Sequence, residues 1–179
     1  MAIDIPVDGS IFSFPDGWTV EKVDEWPEQT KVTGRPFHAK ACDLVALSKN
    51  ELWLIEAKDY SYTGASVPQD LAETVGLKVF HTLALLQATA HWGNDPHRMF
   101  CREAITATQA YICLAVELPD GGRKLMGVER PLADLLDKLK KVTRLLNVYR
   151  PIVSNHHRPH GVPWAIVRDP ATRSDHSDR

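Results

Sequence analysis

Two carboxylates and a lysine form a compact set in the first third of the chain. Asp43 ends the segment Ala41-Cys42-Asp43, and Glu56-Ala57-Lys58 follows the apolar run Leu52-Trp53-Leu54-Ile55. Carboxylate oxygens are hard ligands of the kind Mg²⁺ prefers. An ammonium beside them offers a mobile positive charge to an anion such as a phosphate. Two acids and a lysine can therefore equip metal-assisted hydrolysis, provided the fold brings all three to one point.

The elements around them are suited to do so. Asp43-Leu44-Val45-Ala46-Leu47 and Glu51-Leu52-Trp53-Leu54-Ile55 are apolar runs separated by Ser48-Lys49-Asn50, which reads as a β-hairpin. Asn50 is the residue expected to take the left-handed turn conformation. Centring the turn between Lys49 and Asn50 pairs Leu47 with Leu52 and places Asp43 opposite Glu56. Directly opposed residues share a face, with Cβ atoms roughly 4.5–5.5 Å apart. Lys58 falls on that face by alternation, together with Val45, Leu47, Leu52 and Leu54. Cys42 is expected on the opposite face, packed in the core.

Two facing carboxylates on an apolar surface repel. A cation between them removes the conflict, either Lys58 alone as an ordinary ion pair or a divalent metal as well. The second hairpin face, Leu44, Ala46, Trp53 and Ile55, is apolar too. A sheet apolar on both sides is covered on both sides, which implies three layers rather than an open sheet.

This constellation resembles the PD-(D/E)XK nuclease superfamily, the restriction-endonuclease-like enzymes. Asp43 matches the lone acid, and Glu56-Ala57-Lys58 matches the E-x-K triplet on the following strand. Cys42-Asp43 stands where Pro-Asp is common, at a position that varies in the superfamily. The resemblance spans about 18 of 179 residues. It implies an α/β fold with a three-layer α/β/α restriction-endonuclease-like core and a mixed central sheet. It implies Mg²⁺ or Mn²⁺ held by Asp43, Glu56 and the Ala57 backbone carbonyl, with Lys58 beside the attacking water or the phosphate. The superfamily often adds an acid from a helix ahead of the first strand, and Glu21, Asp24 and Glu25 are the candidates. The implied substrate is DNA, in bacterial defence, repair or a mobile element. The implied partners are a separate helicase/ATPase, a specificity subunit or a second copy. An RNA nuclease and an inactive DNA-binding or scaffold subunit of the same fold are the alternatives.

Composition sets the frame. A chain of 179 residues with 44% hydrophobic and 25% charged residues suits one globular domain and excludes extended disorder. The net charge of −2 and pI near 6.4 lack the footprint of a broad basic surface on nucleic acid. Cys42, Cys101 and Cys113 include no CxxC pair, as expected of reduced thiols in a cytoplasmic protein. No signal peptide is evident, and no apolar stretch reaches the ~18 residues of a membrane helix.

The remaining elements follow from pattern. Residues 1–17, with Pro6, Gly9, Pro15 and Gly17, read as a loose N-terminal arm with one short strand at most. Trp18 to Gln29 fits both helical and strand periodicity, and Lys31 to Ala39 suggests a short strand and a turn. Tyr60 and Tyr62 lie in a polar loop after Lys58, where they would stack on bases or cap the edge of the core. Ser66 is expected to cap a helix running to about His91, with Pro68 in its first turn and Gly76 as a weak point. Lys78 on that helix would reach a phosphate if its face lines the cleft, and is otherwise a surface lysine. A helix over 97–108, a buried strand over 110–118, an amphipathic helix over 132–146 and an edge strand over 162–167 complete the pattern. The tail 169–179 is expected to be flexible.

Other chemistries are weakly supported. His156 and His160 have ligand-like spacing, but Pro159 breaks the helix and no matching pair is evident. That loop, with Arg158, is a candidate phosphate contact. No Walker loop, dinucleotide fingerprint or nucleophile elbow is present.

Overall fold

The computed structural model describes residues 2–34, 38–62, 64–94, 96–118, 129–146, 149–159 and 161–170. Five strands form the central sheet: β3 (Thr19–Glu21), β4 (Leu44–Ser48), β5 (Glu51–Asp59), β6 (Gln109–Glu117) and β7 (Tyr149–Ser154). Their spatial order is β3-β4-β5-β6-β7. The first three pair antiparallel; β5–β6 and β6–β7 pair parallel. Parallel neighbours need a crossover. Helices α2 (Leu71–Trp92) and α3 (His97–Thr106) supply the first, and α4 (Glu129–Thr143) lies in the second. The class is α/β, a mixed sheet flanked by helices.

The hairpin has the expected register, with Leu47 opposite Leu52 and Leu44 opposite Ile55. Its turn differs in one respect. Lys49, not Asn50, carries the left-handed conformation, with φ 54°.

Both faces of the sheet are buried. Val45, Leu47, Leu52 and Leu54 join Val75, Val79 and Leu86 of α2, Phe100 of α3, and Leu135 and Leu139 of α4. Leu44, Ala46, Trp53 and Ile55 pack against Phe12, Phe14, Trp164 and Ile166. Those four come from or adjoin a small antiparallel sheet of β1 (Ile3–Val7), β2 (Ser10–Phe14) and β8 (Ala165–Arg168). The covering layer on the second face is therefore this sheet. Full burial of each large apolar side chain contributes roughly 1.5–3 kcal/mol.

Several local expectations are corrected. Residues 1–17 are no loose arm: Asp8 and Gly9, at φ 44° and 75°, make a two-residue turn between β1 and β2. Phe12 and Phe14 are fully buried. Trp18 to Gln29 divides into β3, a 3₁₀ turn at Val23–Glu25 and the start of α1 (Pro27–Thr33). The described part of 31–39 holds the end of α1 rather than a strand. Helix α2 begins at Leu71, so Ser66 and Pro68 precede it and Asp70 is its N-cap residue. Gly76 has a packing reason: a Cβ there would collide with the Val142 side chain of α4. Strand β7 was not expected, and Pro151 is tolerated because β7 is the sheet edge. Strand β8 is an edge strand as expected, but it spans Ala165–Arg168 rather than 162–167 and so starts after Pro163. The tail beyond Pro170 lies outside the described residues. Among the described residues, no helix is long and apolar enough to cross a membrane.

Candidate active site

Asp43, Glu56 and Lys58 converge, although the ladder ends at the Leu44–Ile55 pair and does not include Asp43. Asp43 is the bend residue just before β4, so its backbone is outside the ladder. Its side chain substitutes for it: Oδ2 accepts the Ala57 backbone N–H at 2.8 Å. That bond fixes the carboxylate against the end of β5. Lys58 Nζ lies 2.8 Å from Glu56 Oε1 and 3.7 Å from Asp43 Oδ2, and it donates to the Ala57 carbonyl at 2.7 Å. The Ala57 carbonyl and the two carboxylates therefore share one cation.

A fourth residue completes the site. Lys78 Nζ is 2.6 Å from Glu56 Oε1 and 3.4 Å from Asp43 Oδ1. The sequence raised Lys78 only as a phosphate contact from a cleft-facing helix or else a surface lysine. Its placement follows from how α2 is tied to the segment ahead of Asp43. The Cys42 backbone N–H donates to Thr82 Oγ1 at 2.8 Å, and Thr82 Oγ1 donates to the Lys78 carbonyl at 2.8 Å. Lys40 N–H donates to His81 Nδ1 at 3.1 Å. Cys42 itself packs with the α2 face rather than the opposite one. Strand alternation fails there because residues 41–43 precede the strand.

The electrostatics reflect strong burial. The Glu56 side chain is 1% exposed, against 13% for Asp43, 15% for Lys78 and 27% for Lys58. Burial, then the Asp43 charge, pushes the Glu56 carboxyl above its ordinary pKa, although both lysines pull the other way. Burial works against each ammonium, but Glu56 and Asp43 outweigh it and raise the pKa of Lys58 and Lys78. Glu56 Oε1 receives both lysines, while Glu56 Oε2 is buried with no hydrogen-bond partner among the described residues. An unpartnered buried carboxylate oxygen costs free energy unless something cationic meets it.

These donors fit a hard divalent ion. Asp43 Oδ, Glu56 Oε and the Ala57 carbonyl are all oxygens, and Mg²⁺ is commonly held by one or two carboxylates with water and phosphate completing its shell. Among the described residues no group of three or more His, Cys, Asp or Glu side chains forms a metal cluster.

The other candidates divide clearly. Asp24 lies exposed in the 3₁₀ turn, and desolvation, then the Asp43 charge, raises its pKa. Glu21 instead accepts the Trp26 indole N–H at 3.4 Å, and Glu25 pairs with Lys22 at 3.2 Å. Tyr60 packs against the core edge, and burial, opposed by nearby Lys58, raises its pKa. Tyr62 is 47% exposed in the same loop.

The Arg158 backbone N–H donates to Asn155 Oδ1 at 2.8 Å, in a turn after β7. That turn is tied to β6, where Glu117 accepts the His156 backbone N–H at 2.8 Å and binds its ring. Glu117 pairs in register with Asp59, so the turn lies at the Lys58 end of the sheet. His156 is thus engaged by Glu117, and His160 lies outside the described residues.

The exit loop has braces that sequence reasoning missed. Asp8 accepts the Asp59 backbone N–H at 2.9 Å, and Arg168 donates to Asp59 at 3.0 Å and to Ser61. The thiols offer no nucleophile. Burial pushes Cys101 and Cys113 up to about 12, and Cys42 higher still.

No family model and no solved structure matches the chain. It is similar to a cysteine–tRNA ligase of Neisseria meningitidis serogroup A / serotype 4A (strain DSM 15465 / Z2491). The two are 27% identical over 87% of this chain, which spans 28% of the ligase's length.

Proposed function

We propose that this chain is a metal-dependent nuclease that hydrolyses DNA phosphodiester bonds. The observation that supports it most is the meeting of Asp43 and Glu56 on the Lys58 ammonium, which touches Glu56 Oε1, while Glu56 Oε2 is buried and unpartnered among the described residues. Asp43 and Glu56, with the Ala57 carbonyl, would hold Mg²⁺ or Mn²⁺. When bound, such an ion supplies a water of lowered pKa and stabilises negative charge on the reacting phosphate. Asp43 is held in place by its bond to the Ala57 N–H. Lys58, anchored on the Ala57 carbonyl, orients the attacking water or sets its charge against the phosphate oxygens. Water adds to phosphorus, one P–O ester bond breaks, and the leaving oxygen takes up a proton.

Asp24 is the chain's candidate for an additional outer acid. The acidic net charge implies that a partner subunit or a second copy adds cations for DNA binding. RNA belongs in the same test, because the ligase similar to this chain is named for a tRNA. Labelled DNA and RNA, single- and double-stranded, are incubated with Mg²⁺, with Mn²⁺ and with chelator. Divalent-dependent loss of DNA supports the proposal. Loss of RNA alone moves the substrate to RNA, and binding without cleavage favours the inactive scaffold.

A further inference from the structure

We infer that Lys78 is a tethered competitor for the metal seat, occupying it in the metal-free protein and leaving it when a divalent ion enters. This rests on the metal-dependent reading above. Its ammonium lies between Glu56 Oε1 and Asp43 Oδ1, at 2.6 and 3.4 Å. A divalent ion bridging the two acids needs the space between those same oxygens, because Mg²⁺ approaches its ligands to about 2.0–2.1 Å.

Charge leads to the same result. Two carboxylates and two ammoniums balance within the pocket. A divalent ion added to that set leaves an excess of two positive charges beside a carboxylate that is 1% exposed. Like charges that close disfavour one another strongly, so one ammonium must move.

The geometry selects Lys78 over Lys58. Lys58 has a backbone partner besides the two acids, the Ala57 carbonyl at 2.7 Å, whose two lone pairs let it accept from Lys58 and face an ion at once. Among the described residues, the Lys78 ammonium hydrogen-bonds only to Glu56 and Asp43. It reaches the site on a long side chain from α2, whose backbone there is fixed by the Thr82 and Cys42 bonds. The head can therefore swing while the helix stays in place. Its side chain is 15% exposed, so part of it already meets solvent.

A seat filled part of the time lowers apparent affinity by the fraction that is free. Removing the competitor should therefore tighten metal binding. Mn²⁺ binding is titrated calorimetrically, without nucleic acid, into wild type, Lys78→Met and Lys78→Gln. Gln retains a neutral donor for Glu56 if Met destabilises the fold. The expected result is Mn²⁺ binding at least tenfold tighter in a folded variant than in wild type. Equal or weaker binding in both folded variants overturns the inference, while leaving the nuclease reading intact if wild type still binds and cleaves. Absence of Mn²⁺ binding in all three proteins overturns both. Wild-type crystals soaked in Mn²⁺ give a check independent of the variants. An anomalous peak between Asp43 and Glu56 with Lys78 swung away supports displacement, and a peak there with Lys78 still on Glu56 Oε1 refutes it.

Discussion

Replacing Glu56 with Gln keeps the shape of a side chain that is 1% exposed and removes its charge. Burial and the Asp43 charge raise the Glu56 pKa despite Lys58 and Lys78. A carboxyl raised in the folded state contributes stability below its unfolded pKa, and loses it as pH rises through the folded value. At neutral pH and above, the Glu56 charge is thus a net cost to the metal-free fold. Metal-free Glu56→Gln should melt at or above wild type. A divalent ion that binds only the folded state adds about 2.7 kcal/mol at 100 times its dissociation constant. For a chain of this size that is a rise of roughly 5–11 °C. The variant, left with Asp43 as its one charged ligand, should show less than half of it. Melting curves with chelator and with millimolar Mn²⁺ read both effects. Breaking a purely structural buried ion pair would instead cost about 3–5 kcal/mol. A variant melting far below wild type, with neither protein responding to Mn²⁺, would refute the reasoning.

Three further outcomes follow from the same geometry. Gly76→Val should lower stability by about 1–3 kcal/mol through overpacking against Val142, and Val142→Ala in the same chain should recover much of the loss in chemical denaturation. Burial opposes the Glu28 carboxylate, but the His97 ring at 3.0 Å and backbone N–H groups outweigh it and lower its pKa. That contribution is present above the ordinary value of 4.5 and is lost as pH falls through the lowered one. Melting temperature below pH 4.5 should therefore fall more steeply for wild type than for Glu28→Gln. With net charge −2, the isolated chain should bind DNA weakly and with strong salt dependence; a tight gel shift at physiological salt would reveal a basic cleft the composition does not suggest.

The hairpin was legible because its information is local. Period-two alternation and a short turn fix which side chains share a face, which puts Glu56 and Lys58 together on β5 and brings the chain to Asp43 just before β4. Lys78 was not legible in the same way. Its approach depends on where α2 crosses the sheet, which Thr82, His81 and the segment before Asp43 decide together. The N-terminal hairpin did carry a signal. Asp8-Gly9 between Val7 and Ser10 is a favoured two-residue turn, but Pro6 and Pro15 drew attention to looseness instead. Pro6 sits on β1, an edge strand, where its missing N–H costs little. Strand β7 was obscured in the same way by Pro151. Among the three extra acids, only tertiary placement could separate Asp24 from Glu21 and Glu25, since all three share one short acidic stretch.

The most direct test is cleavage of labelled DNA and RNA by wild type, Asp43→Asn and Lys58→Ala under Mg²⁺ and Mn²⁺, with each protein's fold verified by circular dichroism. The account predicts divalent-dependent DNA cleavage by wild type, loss of cleavage with chelator, and at least about a 100-fold lower rate in each folded variant. It is contradicted if a folded variant cleaves at the wild-type rate, or if wild type leaves every nucleic acid intact with both metals.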